Sequence, residues 1–178
     1  MSEPKIDLRA LIRDVPDFPK PGVGFRDITP LLASPDGFKA AVAGLAALAA
    51  PYRPEFVLAA EARGFLFGPA VASELGAGFV LARKPGKLPR ETVSVEYELE
   101  YGVDRLEVHT DSIGPGARVL VHDDLLATGG TARALCQLVE KAGGEVVACG
   151  FLMELAFLRG RERLDGYDVH ALLRDDVE

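Results

Sequence analysis

The sequence predicts an α/β fold built on a doubly wound, mostly parallel sheet. Short apolar runs at Phe56–Ala60, at Gly78–Ala82 and from Val119 onward have the length and composition of buried parallel strands. Helical periodicity follows the first and the last of these runs, and this alternation is typical of parallel α/β sheets. Residues 91–111 alternate instead with a period of two, so we expect an antiparallel ribbon inserted into the fold.

The composition is that of one globular domain covering residues 1–178. Of the 178 residues, 48% are hydrophobic and 26% are charged, which is enough to bury a substantial core. The 20 Lys and Arg against 27 Asp and Glu give a formal charge of −7. This charge argues against a nucleic-acid partner, because no basic excess is available to neutralise phosphates.

Targeting and redox features predict a cytoplasmic protein without a membrane partner. The N-terminus lacks an apolar signal region, and the small-apolar stretch at 40–50 is too short to span a bilayer. Cys136 and Cys149 lack metal-ligand spacing and lie in apolar patterns, so we expect buried, reduced thiols.

The N-terminal third is interpreted from its prolines and helix caps. Residues 6–15 predict a short helix, after which the prolines within 16–22 force an extended path. Ser34 as N-cap and Pro35 at the first helical position start a helix whose Ala-rich body runs to residue 50.

The later elements continue the alternation of strands and helices. Arg63 lies in the loop after the first strand, and four cations at 83–90 occupy a Pro- and Gly-rich loop after the second. The other expected elements are a helix at 65–75, a helix after Thr131 that ends at Gly143, strands at 145–154 and 167–173, and a short connection at 160–164. The ribbon is polar and acidic, and a lone hairpin is only marginally stable, which suits a movable lid over about 90–112.

The stretch from Val119 to Thr131 predicts a cradle for a sugar phosphate. Here an apolar strand meets two carboxylates and then a small, hydroxyl-rich turn before a helix. The residues from Ala127 onward lack bulk, so backbone N–H groups and the helix dipole can favour a phosphate. Asp123 and Asp124 would repel a phosphate, but carboxylates accept hydrogen bonds well from a ribose diol.

Other phosphate-binding and catalytic motifs do not fit. A P-loop needs a Lys directly after its second glycine, and none follows Gly129 and Gly130. A dinucleotide fingerprint opens a helix, whereas the glycines at 114–116 precede a strand. No G-x-S-x-G nucleophile elbow occurs, and the three His residues share no ligand spacing, so none is interpreted as catalytic.

Several segments, in the same order along the chain, resemble the type I phosphoribosyltransferases. VLVHDDLLATGGTA is similar to the motif that binds 5-phosphoribosyl-1-pyrophosphate (PRPP), and its DDLLATGGT core is closest to the adenine-specific members. FPKPGVGFRDITPLL resembles the segment that covers the purine, and EARGFLFGP resembles the pyrophosphate loop. RKPGKLP is similar to the segment beside the pyrophosphate, and YELEYG is similar to the flexible loop. The implied fold is that of this family, with about 1–34 as a hood over the base.

The resemblance also implies roles for individual residues. It assigns the PRPP ribose and 5′-phosphate to Asp123, Asp124, Ala127, Thr128, Gly129, Gly130 and Thr131; the pyrophosphate to Arg63, Arg83, Lys84 and Lys87; adenine to Gly24, Phe25, Arg26 and Leu125; general acid/base catalysis to Glu100; and lid closure to Tyr101. By residue type alone other interpretations stay open. Phe25 could be a core residue, Arg63 and any one ribbon Glu could be solvated, and the basic loop could serve solubility.

The implied reaction is adenine plus PRPP giving AMP and pyrophosphate, a purine salvage step. The resemblance further implies Mg²⁺ held through PRPP and water and a homodimer in which Arg83 serves its own or the partner's site. Two alternatives stay open: a phosphoribosyltransferase for xanthine or hypoxanthine, and a PRPP-binding regulatory protein without catalysis. Ala62 and His122 depart from the family pattern, in which Ser and an aliphatic residue are more usual.

Overall fold

The structure, a computed structural model, describes residues 6–98 and 102–177. The strands are β1 (Arg13–Val15), β2 (Phe25–Asp27), β3 (Phe56–Ala60), β4 (Gly78–Ala82), β5 (Thr92–Glu98), β6 (Val103–His109), β7 (Arg118–Leu126), β8 (Glu145–Leu155) and β9 (Val169–Asp175). The α-helices are α1 (Thr29–Ala33), α2 (Pro35–Ala49), α3 (Gly68–Leu75) and α4 (Gly130–Lys141).

A five-stranded parallel sheet forms the centre of the fold, in the order β4-β3-β7-β8-β9. The chain first adds β4 on one side of β3 and then returns to add β7 on the other side, so the strand order reverses between β3 and β7. In open α/β sheets, ligands bind outside the carboxyl ends of the strands at such a reversal. The topology therefore indicates a site at the loops after β3 and β7.

Apolar side chains cover both faces of this sheet, which confirms the predicted doubly wound arrangement. On one face α1, α2 and α3 pack around a cluster that includes Leu31 and Phe67. On the other face α4 and the β5–β6 ribbon pack around a cluster that includes Leu106 and Leu135. Strands that are buried on both faces need continuous apolar runs, and for this reason the strands of the sheet could be predicted from the sequence.

Local signals set the boundaries of several elements as predicted. β3 and β4 begin and end at the predicted residues. α2 begins at Pro35, and the side chain of Ser34 caps it by accepting a hydrogen bond from the Gly37 N–H at 3.1 Å. The cap satisfies one of the N–H groups that have no partner within the first helical turn.

The helix predicted over 6–15 is wrong. The chain forms a short 3-10 turn at Arg9–Leu11 and then β1, which pairs antiparallel with β2. Val15 precedes Pro16, and the proline ring disfavours the helical conformation of the residue before it. Pairing with β2 supplies the backbone partners that a helix would otherwise have provided.

The helix predicted over 65–75 begins later than expected. A 3-10 turn at Arg63–Leu66 comes first, and α3 starts at Gly68. Pro69 explains the delay, because a proline is tolerated in the first turn of a helix and not in its interior. Arg63 therefore lies in a tight turn close to the carboxyl end of β3.

The described arms of the ribbon pack against the core, so the ribbon is not a lone hairpin. Leu106 and Val108 on β6 are buried, and Val93 and Val95 on β5 pack against the same cluster. These four apolar residues of the alternating pattern thus face the core. The predicted lid residues Glu100 and Tyr101 lie outside the described residues, and a lid role for 90–112 stays a prediction.

Two further expectations concern membranes and thiols. Within residues 6–98 and 102–177, no helix has the length and apolarity needed to cross a membrane. Cys136 on α4 and Cys149 on β8 are buried free thiols with their Sγ atoms 3.6 Å apart, which confirms the prediction for both.

Candidate active site

The loops after β3 and β7 meet at a cavity of about 260 Å³ where the strand order reverses. Its lining also includes residues from the ribbon and from the loop after β4. The lining residues are Ala60, Glu61, Ala62, Arg63, Lys84, Tyr97, Asp104, Leu106, Asp123, Asp124, Leu125 and Thr131. Predicted site residues from three separate segments of the sequence, at Arg63, at Lys84 and between Asp123 and Thr131, thus lie around one space.

Asp123 and Asp124 are part of β7 and do not lie in the turn that follows it. The strand continues to Leu126 because it keeps pairing with β8, where Asp123 lies opposite Phe151. Burial, and then the charge of Asp124, raise the pKa of Asp123 well above its usual range. A ribose hydroxyl that donates a hydrogen bond to this carboxyl group would stabilise its charged form.

Arg63 links the carboxylates to the N-terminal segment. Its Nε donates to Oδ2 of the buried Asp124 at 2.6 Å, and its guanidinium lies over the ring of Phe25 at 5.1 Å from the centroid. The predicted pyrophosphate contact therefore already forms an ion pair with a buried carboxylate. One planar guanidinium joins the proposed ribose, pyrophosphate and base ends of the site.

The predicted adenine contacts lie at β2 and β7. Phe25 is half-buried and contacts the ring of Phe18 edge-on, with ring centroids 5.0 Å apart. Leu125 lines the cavity directly. The side chain of Arg26 turns away from it and donates from Nε to Oδ2 of Asp175 on β9 at 2.8 Å. Any contact of Arg26 with a base would therefore come from its backbone.

A second, smaller cavity of about 80 Å³ lies inside the turn between β7 and α4. Its lining residues are Asp123, Leu125, Leu126, Ala127, Thr128, Gly129, Gly130, Thr131 and Ala132. Gly129 has a φ of +83°, and a Cβ at this position would collide with the backbone carbonyl of Gly160. The turn thus requires glycine for both conformation and space, and it opens a 12-residue helix whose N-terminus favours an anion.

The basic loop after β4 is held by carboxylates. The Lys84 ammonium contacts Asp104 Oδ2 at 3.1 Å, and its backbone N–H donates to Glu61 at 2.6 Å. Arg83 contacts Oε2 of Glu61 at 3.2 Å. Lys84 lines the larger cavity, whereas Arg83 and Lys87 are not among its lining residues in the described chain.

Sequence reasoning missed several residues that shape this site. Glu61 follows β3 directly, and its position at the carboxyl end of a strand was a usable signal. Tyr97, Asp104 and Gly160 carried no such signal, because their neighbours in space are distant along the chain. The peptide bond between Glu61 and Ala62 is cis, which no feature of the sequence indicates.

His122 has a place in the sheet and not in the cavity. It is fully buried, and its Nδ1 contacts the carbonyl oxygen of Gly150 at 2.9 Å. Burial lowers the pKa of His122 to about 4, so the imidazole is neutral near pH 7. Gly150 is also the residue that pairs with His122 on the neighbouring strand β8.

Comparison with known proteins places the chain in a protein family. Residues 32–175 match the phosphoribosyl transferase domain family. The adenine phosphoribosyltransferase of Rubrobacter xylanophilus is 61% identical over 167 residues, covering 93% of this chain and 90% of the relative. That of Thermotoga maritima is 54% identical over 169 residues, covering 95% of this chain and 98% of the relative.

Solved structures agree with the sequence relatives. The adenine phosphoribosyltransferase of Thermoanaerobacter pseudethanolicus superposes with a TM-score of 0.92 at 52% identity, covering 94% of this chain and 98% of the other. The Saccharomyces cerevisiae enzyme, solved with an imino-altritol bisphosphate and adenine, gives 0.89 at 38% identity, covering 93% and 96%. With this agreement in sequence and fold, the chain belongs to the adenine phosphoribosyltransferase family of type I phosphoribosyltransferases.

Proposed function

We propose that the chain transfers the 5-phosphoribosyl group of PRPP to adenine, forming AMP and pyrophosphate for purine salvage. One observation carries the proposal: Asp123 lines both the larger cavity, with its cations, and the smaller cavity in the turn before α4. A ligand with a diol between a phosphate and a pyrophosphate matches this order. Relatives at 61% and 54% identity are named for adenine, which supports adenine as the base.

The expected chemistry replaces pyrophosphate with N9 of adenine at carbon 1 of the ribose. Asp123 and Asp124 hold the diol, and the turn at 127–131 holds the 5′-phosphate, so that carbon 1 faces the base. Arg63 and Lys84 stabilise the negative charge that develops on the leaving pyrophosphate. Because the ribose gains positive charge in the transition state, excluding water protects it from hydrolysis.

The base end of the site is assigned to the hood. Phe25 offers a flat apolar surface for stacking on the purine, and backbone groups at Gly24 and Arg26 are proposed to read its edge. Glu100 is proposed to manage a proton at purine N7 and so tune the nucleophilicity of N9. The roles of Glu100 and of Tyr101 in lid closure rest on the sequence resemblance alone.

Mg²⁺ is proposed as an ion carried by the substrate. Mg²⁺ keeps several waters and is usually bound through one or two carboxylates together with substrate phosphates. The cavity offers the carboxylates of Asp123 and Asp124, and within the described ranges no three His, Cys, Asp or Glu side chains converge to hold a metal. These residues fit an ion that PRPP brings with it. Bound there, the ion would offset charge on the pyrophosphate.

A base-competition assay tests the proposed function. Purified protein is incubated with PRPP and Mg²⁺ and with adenine, hypoxanthine or xanthine in turn, and nucleotide and pyrophosphate are both measured. We expect AMP and pyrophosphate in equal amounts with adenine only, and their loss when Mg²⁺ is chelated. Product from hypoxanthine or xanthine instead would change the assigned base, and PRPP binding without any product would leave only a regulatory protein.

A homodimer is also proposed, through the outer edge of the sheet. Leu81 on the edge strand β4 and Leu66 in the turn before α3 are 42% and 41% exposed, and both are close in sequence to site residues. Sedimentation analysis should give a dimer that Leu66→Glu with Leu81→Glu converts to monomer. Leu158→Glu, at a residue that is 39% exposed elsewhere, serves as the control and should stay dimeric.

Mixed dimers decide which site Arg83 serves. Subunits with Arg83→Ala and subunits with Glu100→Ala are each expected to be impaired. If Arg83 acts across the interface, mixing them restores one complete site per mixed dimer, whereas no restoration follows if it acts within its own subunit.

A cytoplasmic location is proposed as well, because the polyanionic substrate PRPP cannot readily cross a membrane. Cell fractionation tests this location.

A further inference from the structure

Three cations of the site are already paired with carboxylates of the same chain. The pairs are Arg63 with Asp124, Arg83 with Glu61, and Lys84 with Asp104. Two of these carboxylates lie on β7 or directly after β3, in the segments that form the core of the site. Asp104 differs, because it belongs to β6 of the ribbon and is brought next to Lys84 only by the folding of the chain.

Asp104 is held firmly while its partner is not. Its Oδ1 accepts the backbone N–H of Arg105 at 2.8 Å, and its Oδ2 accepts the Tyr97 hydroxyl at 3.4 Å. The Asp104 side chain is 21% exposed and that of Lys84 is 57% exposed. Burial by itself would raise the pKa of Asp104, but the hydrogen bonds, including those from Arg105 and Lys84, outweigh it and hold the pKa below its usual value. The carboxylate is therefore ionised near pH 7.

We propose that Asp104 sets the affinity of the pyrophosphate end of the site by acting as an internal counter-ion for Lys84. Any anion that takes up the Lys84 ammonium must share it with Asp104 or displace the carboxylate, which lines the same cavity. Asp104 thereby lowers affinity for PRPP and for pyrophosphate alike. The inference rests on the proposed function, since that function assigns pyrophosphate to Lys84.

A purely structural role for the pair predicts the opposite result. The Arg83 backbone bridges to Glu107 on β6 with N–H···O distances of 2.9 and 2.8 Å, so the basic loop and the ribbon are joined without Asp104. If the ion pair mainly fastened the loop, its loss would loosen Lys84 and weaken anion binding. If Asp104 competes with the ligand, its loss strengthens anion binding. The sign of the change separates the two roles.

The test measures pyrophosphate binding and PRPP kinetics for neutral variants of Asp104. Inorganic pyrophosphate with Mg²⁺ is titrated into wild type, Asp104→Asn and Asp104→Ser by calorimetry, and KM for PRPP is measured in parallel. Both variants should bind pyrophosphate and PRPP about two- to fivefold more tightly, the gain expected when one partly exposed ion pair no longer competes. Asp104→Glu, which keeps the charge, should stay close to wild type.

Two controls isolate the competition. Glu96→Gln removes one negative charge from the same ribbon, where Glu96 contacts Arg105 and does not line the cavity, and it should leave the pyrophosphate Kd unchanged. In a Lys84→Met background, Asp104→Asn should no longer tighten binding, because the contested ammonium is gone.

Three outcomes would overturn the inference: unchanged or weaker binding by both neutral variants, an equal gain from Glu96→Gln, or a full gain without Lys84. The proposed function fails separately, if wild type forms no AMP from adenine and PRPP. In that case the pyrophosphate titration still decides whether Asp104 competes for Lys84.

Discussion

Replacing Asp175 with Asn should weaken adenine binding more than PRPP binding, because Asp175 fixes the strand that carries Phe25. Nε of Arg26 donates to Oδ2 of Asp175 at 2.8 Å, and Nε of Arg9 donates to Oδ1 at 3.2 Å. Through these contacts β9 holds both β2 and the turn before β1. Phe25 precedes Arg26 in β2, so the loss should reach the proposed base contact and leave the carboxylates of β7 in place.

The magnitude follows from the burial of this pair. The side chains of Arg26 and Asp175 are 8% and 13% exposed, so solvent screens their contact only weakly. Removing one partner of a fully buried pair costs about 3–5 kcal/mol. Arg26 keeps a contact to Asp14 at 3.2 Å, and Asn keeps an amide oxygen. We therefore expect the free energy of unfolding to fall by about 1–3 kcal/mol. If about 1 kcal/mol of this appears at the base site, KM for adenine rises about fivefold.

Urea unfolding and steady-state kinetics measure the two effects. Asp176→Asn is the matched control, because Asp176 is the exposed neighbour and contacts Arg174 at 2.7 Å. The control should change neither stability nor KM appreciably. An equal rise in KM for adenine and PRPP, or an unchanged KM for adenine despite lost stability in Asp175→Asn, would refute the link between β9 and the base.

The same contacts predict how the difference depends on pH. Burial by itself would raise the pKa of Asp175, but hydrogen bonds from Arg26 and Arg9 outweigh burial and hold it below its usual value. A carboxyl with a depressed folded pKa stabilises the fold above its unfolded pKa of about 3.9, and this contribution is lost as the pH falls through the folded pKa. The stability difference between wild type and Asp175→Asn is therefore complete at neutral pH and shrinks in acid.

Three further variants and one control test the rest of the site. Asp123→Asn with Asp124→Asn should raise the Kd for PRPP at least about 100-fold, since each hydrogen bond to a charged group contributes about 1.5–3 kcal/mol; an unchanged Kd in a PRPP titration would exclude the sugar anchor. Gly129→Ala should raise KM for PRPP at least about tenfold, because strain from a positive φ of about 1–2 kcal/mol adds to a collision with backbone. Gly166→Ala serves as the control, because Gly166 has a φ of +90° but open space around it, so this variant should lose stability without a change in KM. Equal KM values for PRPP in Gly129→Ala and Gly166→Ala would contradict the role assigned to the turn. Glu100→Ala should lower kcat while PRPP still binds, as expected for a transition-state contact, and unchanged turnover would remove this residue from the mechanism.

The sheet could be predicted from sequence because the burial of each strand is evident from the residues of that strand alone. β3 and β4 are continuous apolar runs, and both were located to the residue. The turn at 127–131 could likewise be predicted from its own small residues. This prediction remained useful although β7 extends further along the chain than expected. Sequence patterning succeeds where one segment contains the whole reason for its conformation.

Pairing between distant segments, in contrast, cannot be predicted from the residues of either segment alone. The segment at 6–15 has helical apolar spacing, yet its second half pairs with a strand that begins ten residues later. Arg63 and Asp124 are 61 residues apart in sequence, and their contact depends on two strands lying side by side. The family resemblance predicted a ligand contact for both residues, but it could not predict that they contact each other.

These internal pairs bear on how a chain with a formal charge of −7 can use a polyanion as substrate. Within the described residues, Arg63 and Lys84 are the cations that line the cavity, and each contacts a carboxylate. A pyrophosphate bound there would therefore gain less from them than from unpaired cations. In the proposed site, the ribose and 5′-phosphate would meet hydrogen-bonding groups of Asp123 and the turn at 127–131. Uniformly tight binding of pyrophosphate would slow its release without speeding the chemical step. Firm binding of the sugar, together with cations that are already paired with carboxylates at the pyrophosphate end, therefore suits a reaction in which pyrophosphate is the group that leaves.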